Sequence, residues 1–237
     1  MFEYIAPISF SLPSNVIEKL NTYIYIGPGP HMQITRQIDR LIHHTDPKDL
    51  HFPKRLTCND ENIDLTEDLF QELKEMKLRI LKEYGLTTSS RYKKTEIIGN
   101  LKTEILSYIP QTLHQFNPTP VIQTIEGQGM LPHTDFIRSC SMFYLLTDPT
   151  GWSTMWYQPV NNVDLHQRAG RHGFLWPFVN FEDIELKKTI QIEENRWYAF
   201  DNHTYHAVKY TGDHAVRRAL QIEFADLTAE QLYKILK

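Results

Sequence analysis

The sequence predicts an α+β protein: helices first, then an antiparallel β core built as a sandwich or barrel, then one closing helix. Three observations predict this. Up to Asn117, apolar residues recur at intervals of three and four. From Pro118 to Phe224, β-branched and aromatic residues cluster in short runs separated by Gly, Pro, Asn and Asp. From Thr228, a Thr228–Gln231 capping pair precedes Leu232, Ile235 and Leu236 on one helical face. We therefore divide the chain into 1–117, a helical region packing on the barrel, and 118–237, the β core with its closing helix. Together they are read as one integrated domain.

The elements follow in order. "PSNVIEKLNTYI" puts Ser14 at an N-cap and Val16, Ile17, Leu20 and Ile24 on one face. "GPGP", Gly27 to Pro30, is a loop. "ITRQIDRLIHH" offers Ile34, Ile38, Leu41 and Ile42 as the stripe of a short helix. Leu69, Leu73, Met76, Ile80 and Tyr84 mark a longer one, capped by the Asp64–Glu67 pair and ended at Gly85. "TSSRYKK" reads as a solvated surface turn, and "KTEILSYI" as a helix ending before Pro110. "PVIQTI", "SCSMFYLL", "STMWYQ", "KKTIQI", "RWYAF", "HAVKY" and "RRALQIEF" are the strands, their Trp and Tyr residues read as core.

Composition narrows the function classes. At 237 residues, 41% hydrophobic and 23% charged, the chain can bury a core, and wholesale disorder is excluded. A net charge of −4 gives no general pull toward phosphate backbones or anionic lipid, so a nucleic-acid partner is disfavoured. Cys58 and Cys140 stand in no metal-ligand spacing, which argues for a reducing compartment without a disulfide framework. The opening "MFEYIAPISFSLPSNV" has neither a basic start nor an unbroken apolar run, and no window is long enough to span a bilayer. A soluble, cytoplasmic protein is the expectation. No patterning assigns an oligomeric state.

His-Thr-Asp occurs twice, at 44–46 and at 133–135. The first copy ends a helical pattern directly before Pro47, where His suits the negative end of the helix dipole and Asp-Pro opens a turn. Two residues apart on a helix, side chains diverge by about 200°, so this copy reads as structural. The second copy lies at the lip of a strand, after a loop marked by Gly127, Gly129 and Pro132. On an extended chain His133 and Asp135 point the same way. A third ligand must come from elsewhere. Of His203, His206 and His214, only His206 opens an apolar strand run, 73 positions after His133.

Two imidazoles and one carboxylate on one face of an ion are the arrangement of non-haem Fe(II) oxygenases, which keep the other face open. A diacid cosubstrate would also need a cationic fork, which Arg supplies bidentately. Arg217 and Arg218 compete for that role. Alternation puts Arg218, Leu220, Ile222 and Phe224 on an apolar face, and Arg217, Ala219, Gln221 and Glu223 on a polar one, so Arg217 is the choice. Arg138 reads either as a contact to a substrate acid or as a solvated surface group.

His133-x-Asp135, His206 and Arg217, in that order and spacing, resemble the 2-oxoglutarate/Fe(II)-dependent oxygenase superfamily. "HAVKYTGDHAVRRALQIEF" is most similar to the distal motif of its prolyl hydroxylase and phytanoyl-CoA hydroxylase branches. The resemblance covers residues 121 to 224. It implies a double-stranded β-helix (jelly-roll) core, with N-terminal helices and the C-terminal helix around it. It also implies Fe(II) on His133, Asp135 and His206, and 2-oxoglutarate on Arg217, with Tyr144 or Gln123 as a further hydrogen-bond donor to it. O₂ and 2-oxoglutarate would be converted to succinate and CO₂, with ascorbate as a reductant. Hydroxylation of a C–H bond in a protein side chain such as proline, or in a small metabolite, is the implied reaction. A retained Asp135 argues against a halogenase, and the lack of a denser His-x-His cluster argues against a cupin without cosubstrate. The alternatives are a nucleobase demethylase of the same superfamily and a non-catalytic jelly-roll binding module.

Overall fold

The computed structural model describes residues 2–24, 37–38, 40–42, 45, 47–58, 61–86, 91–135, 138–160 and 181–237. The chain forms two compact units. One comprises Met1–Ile26, Ser90–Gln158 and Leu186–Lys237, the other Gly27–Ser89 and Pro159–Glu185.

The first unit is a jelly roll with helices on one side. Its larger antiparallel sheet has six strands in the order β1 (Ile5–Pro7), β10 (Trp197–Asp201), β7 (Cys140–Leu145), β12 (Ala215–Phe224), β5 (Thr119–Gly127) and β4 (Arg91–Glu96). A four-stranded sheet runs β6 (Gly129–His133), β11 (Tyr205–Tyr210), β8 (Trp152–Pro159) and β9 (Ile184–Ile190). From β5 to β12 the chain passes between the sheets, giving β5-β12-β7-β10 and β6-β11-β8-β9. That order is the double-stranded β-helix. Side chains of both sheets share the space between them: Phe143, Phe200 and Ala219 with Trp156, and Ile125 with Trp152 and Val208.

The larger sheet's other face carries the helices α1 (Ser14–Thr22), α3 (Gly99–Tyr108) and α4 (Ala229–Leu236). Val16, Leu20, Ile105, Leu232 and Leu236 pack there with Ile122, Met142, Leu220, Ile222 and Phe224. Burying each such side chain contributes about 1.5–3 kcal/mol. The capping box of Thr228 and Gln231 starts α4 as the sequence indicates. In α1, Pro13 rather than Ser14 takes the N-cap position, and Ile24 lies beyond the helix end, exposed.

The second unit has its own core of Ile38, Leu50, Leu56, Leu65, Phe70 and Leu73. It is formed by a hairpin, β2 (Lys54–Cys58) with β3 (Glu61–Leu65), and by α2 (Glu67–Glu83). Thr66 caps α2, accepting from Leu69 N, so the Asp64–Glu67 pair is not the cap. Gly85 ends it at φ +70, as expected for a C-terminal glycine. Two expectations for the first half change here. The hairpin stands inside the stretch read as helical, and "RYKK" lies in strand β4 rather than in a surface turn. No helix among the described residues is long and apolar enough to cross a membrane.

Candidate functional site

The site grows from the pairing of β6 with β11. His133 closes β6, and antiparallel register sets it opposite His206 of β11. Gly129 lets the strands meet: at φ +135, it brings a position that cannot carry a Cβ against the Val208 carbonyl. The two imidazoles then lie 4.5 Å apart between ring centroids, tilted by 50°, both buried.

Each ring is oriented by a backbone carbonyl two residues before it, in β6 for His133 and just ahead of β11 for His206. Nδ1 of His133 donates to the Leu131 carbonyl at 2.7 Å, and Nδ1 of His206 donates to the Thr204 carbonyl at 2.9 Å. A carbonyl only accepts, so both rings carry a proton on Nδ1, which leaves Nε2 as the nitrogen able to offer a lone pair. Burial, with the neighbouring His206 charge, pushes His133 down to about 4. It is therefore neutral, the form that binds a metal.

Asp135 follows His133 at the strand's lip. Its Oδ2 lies 3.9 Å from His206 Nε2. Asn202 Nδ2 donates to that same oxygen at 2.8 Å, while Arg138 donates to Oδ1 at 3.2 Å. Burial alone would raise this carboxyl. The Arg138 guanidinium, then the imidazoles and the Asn202 amide, outweigh it and hold Asp135 well below the usual carboxylate range. Among the described residues no group of three or more His, Cys, Asp or Glu side chains is set to hold a metal ion as it stands. The convergence is pairwise, ring to ring and Nε2 to carboxylate.

Arg217 comes from the inward face of β12 and is 2% exposed. Its NH2 donates to the Thr154 hydroxyl at 3.3 Å, its carbon centre lies 5.1 Å from the Phe143 ring centroid, and its buried Nε has no hydrogen-bond partner. Thr154 pairs with Val208 and Trp156 with His206, so the guanidinium sits one inward-facing step deeper than His206, roughly 7 Å along the strands. Burial pushes its pKa down to about 10. Arg218 points the other way, onto the carbonyls of Leu20, Asn21 and Tyr23 at the end of α1.

The remaining sequence-derived residues divide. Gln123 lies on the inward face of β5, buried, with Nε2 donating to Tyr92 at 3.3 Å. Tyr144 does not reach the site. It belongs to the helix-facing side of β7, with its hydroxyl donating to Asn195 Oδ1 and its ring against Trp197. His43, His44 and Asp46 lie outside the described residues.

Four polar residues beside the site carry weak sequence signals. Arg138 is half-buried and paired rather than solvated: it pairs with Glu223 as well as Asp135, and donates to Gln221 Oε1 at 3.2 Å. Lys94 of β4 pairs with Glu223 at 2.6 Å. Burial raises the Glu223 carboxyl and lowers the Lys94 ammonium against the pull of their partners. Asn202, fully buried, stands in "DNHT", where a turn amide gives no hint of this contact. For Glu223 the alternation of β12 is a usable signal.

The donor set suits ferrous iron: two imidazoles whose Nδ1 atoms are tied to carbonyls so that Nε2 is presented, and a carboxylate with lone pairs left after two hydrogen bonds. The guanidinium, buried without a counter-anion among the described residues, suits a carboxylate.

No protein-family model matches the sequence, and no curated protein matches it. Similar solved structures include the vicilin of Corylus avellana (hazelnut), 8% identical with a TM-score of 0.31, covering 59% of this chain and 29% of that one. The non-heme alpha-ketoglutarate-dependent epimerase SnoN from nogalamycin biosynthesis is 12% identical with a TM-score of 0.34, over 94% of this chain and 78% of that one. A Trichoplax adhaerens prolyl hydroxylase, in complex with a hypoxia inducible factor peptide fragment, is 13% identical with a TM-score of 0.34, over 89% and 87%. The chain spans less than a third of the hazelnut vicilin's length. The jelly-roll assignment rests on this chain's own strand order.

Proposed function

We propose that this chain is an Fe(II)/2-oxoglutarate-dependent oxygenase that hydroxylates a C–H bond of a protein side chain or a small metabolite. One observation carries the reading. His133 and His206 face each other across β6 and β11 beside the Asp135 carboxylate, and an under-bonded guanidinium lies one step deeper.

When bound, ferrous ion would supply the activation of O₂ that is coupled to conversion of 2-oxoglutarate to succinate and CO₂. The chain's part is to bind and orient. His133 and His206 present Nε2 because their Nδ1 protons are tied to backbone carbonyls. Asp135 adds the single negative charge. Arg217, with a buried Nε left unpartnered among the described residues, would hold the distal carboxylate of 2-oxoglutarate, and the Thr154 hydroxyl steadies the same guanidinium. Phe143 and Trp156 wall the space and keep water out.

The test is an anaerobic titration with Fe(II) and 2-oxoglutarate, following the weak visible charge-transfer band. Wild type develops the band. His133→Ala loses iron binding, and Arg217→Ala keeps iron but binds the cosubstrate weakly. Normal turnover in either variant removes the assignment.

A second reading, a non-catalytic jelly-roll binding module, is favoured by one feature: Asp135 is already engaged by Arg138 and Asn202. Metal binding without succinate formation, whatever substrate pool is supplied, would select it.

A further inference from the structure

We propose that Arg138 and Asn202 are positioning residues that hold the Asp135 carboxylate with Oδ2 toward His206, and that Glu223, braced by Lys94, holds Arg138 in place. The proposal rests on the oxygenase reading above and deepens it.

Asn202 grips Asp135 twice. Its carbonyl accepts the Asp135 backbone N–H at 3.0 Å, and its side-chain amide donates to Oδ2 at 2.8 Å. Its own backbone N–H donates to the Ser139 carbonyl at 3.2 Å, so the residue is fixed across the opening of the β6–β7 connection. Among the described residues the amide's other end is buried without a partner. Among them the carboxylate alone selects which way that amide faces, and a buried carbonyl oxygen is left unpaired, at a cost, to keep it there.

Arg138 works on the opposite oxygen. One terminal nitrogen reaches Asp135 Oδ1 at 3.2 Å, while the other pairs with Glu223 and donates to Gln221. The fork is shared between two carboxylates, and so is not available to a substrate acid. Glu223 in turn takes Lys94 from β4. The result is an alternating row, Asp135, Arg138, Glu223, Lys94, whose formal charges sum to zero inside the barrel.

The geometry assigns the two carboxylate oxygens different work. With Oδ1 held by a cation, charge for a ligated ion comes from Oδ2, the oxygen beside His206 Nε2. Glu223 then matters although it touches no ligand: it divides the pull of Arg138. Without its charge, Arg138 bears on Asp135 alone and withdraws charge from the metal.

The experiment titrates metal-free wild type, Asn202→Ala, Arg138→Gln and Glu223→Gln with Co(II), by calorimetry and by the visible Co(II) absorption. The proposal expects one wild-type site. Asn202→Ala and Arg138→Gln should each lower Co(II) affinity by roughly 10–100-fold with an altered spectrum. Glu223→Gln should weaken it in the same direction. Arg138→Lys, which keeps the charge but not the fork, should restore less than half of the lost binding free energy. It also substitutes if Arg138→Gln does not unfold cooperatively. Wild-type affinity and spectrum in folded Asn202→Ala and Arg138 variants would overturn the positioning role, and the oxygenase reading would stand if His133→Ala alone abolished binding. Failure of wild type to bind Co(II) at all would overturn both.

Discussion

Arg217 should make the ligand-free protein less stable than it could be. Its guanidinium is 2% exposed and has no carboxylate partner in any contact described for it. Burial lowers its pKa from the ordinary arginine range to about 10. At about 1.4 kcal/mol for each tenfold change, this is on the order of 3 kcal/mol against the folded state. Because the folded value lies below the unfolded one, that cost is fully present at neutral pH and fades only as pH rises above about 10 toward the ordinary arginine range. The Thr154 hydrogen bond and the Phe143 ring contact return about 1–2 kcal/mol of it. Arg217→Met, of similar length and no charge, should thus stabilise the apo fold by about 1–2 kcal/mol, a rise in Tm of roughly 2–8 °C for a chain of this size. Thermal unfolding by circular dichroism measures it. In the presence of Mn(II), saturating 2-oxoglutarate should raise the melting temperature of wild type but leave Arg217→Met unmoved. A variant that melts at or below wild type without ligand, or that gains as much from 2-oxoglutarate, would refute the reasoning.

Three more predictions concern the scaffold. His133 has a folded-state pKa of about 4, depressed by burial and by His206, so metal-free protein should lose on the order of 3 kcal/mol as pH falls from 6.5 to 4. Urea unfolding across that range should show a shallower pH dependence in His133→Gln. Gly129→Ala forces a Cβ into the Val208 carbonyl at φ +135. It should cost about 1–3 kcal/mol and, by disturbing the His133–His206 register, also weaken Mn(II) binding in calorimetry. Arg218→Ala removes the bonds to three carbonyls at the end of α1. A loss of about 1–3 kcal/mol in urea unfolding, with Mn(II) affinity unchanged, is the expected outcome.

What the sequence shows of this fold depends on whether a strand has one apolar face. β12 has one, with Leu220, Ile222 and Phe224 on the helices and Gln221 and Glu223 inward, so alternation separates Arg217 from Arg218. β7 is buried on both faces along its whole length, and alternation is silent there. That silence is why Tyr144 looks as eligible for the site as Phe143. β4 fails for the opposite reason. Its inward residues, Tyr92 and Lys94, are polar because they face a polar interior, so the segment reads as a turn. Arg138 shows a third limit: spacing places it beside Asp135 but says nothing of the Glu223 that draws it inward.

Arginine at both 217 and 218 has a consequence for how β12 finds its place. Were the strand to slip by one residue against β5 and β7, each side of the sheet would still receive a guanidinium. The tandem therefore cannot steer the pairing. Steering falls to Leu220, Ile222 and Phe224, which a slip would turn into the polar cavity while driving Gln221 and Glu223 beneath the helices. Three greasy side chains on the helix-facing side thus decide which of two neighbouring arginines is buried on the inward face.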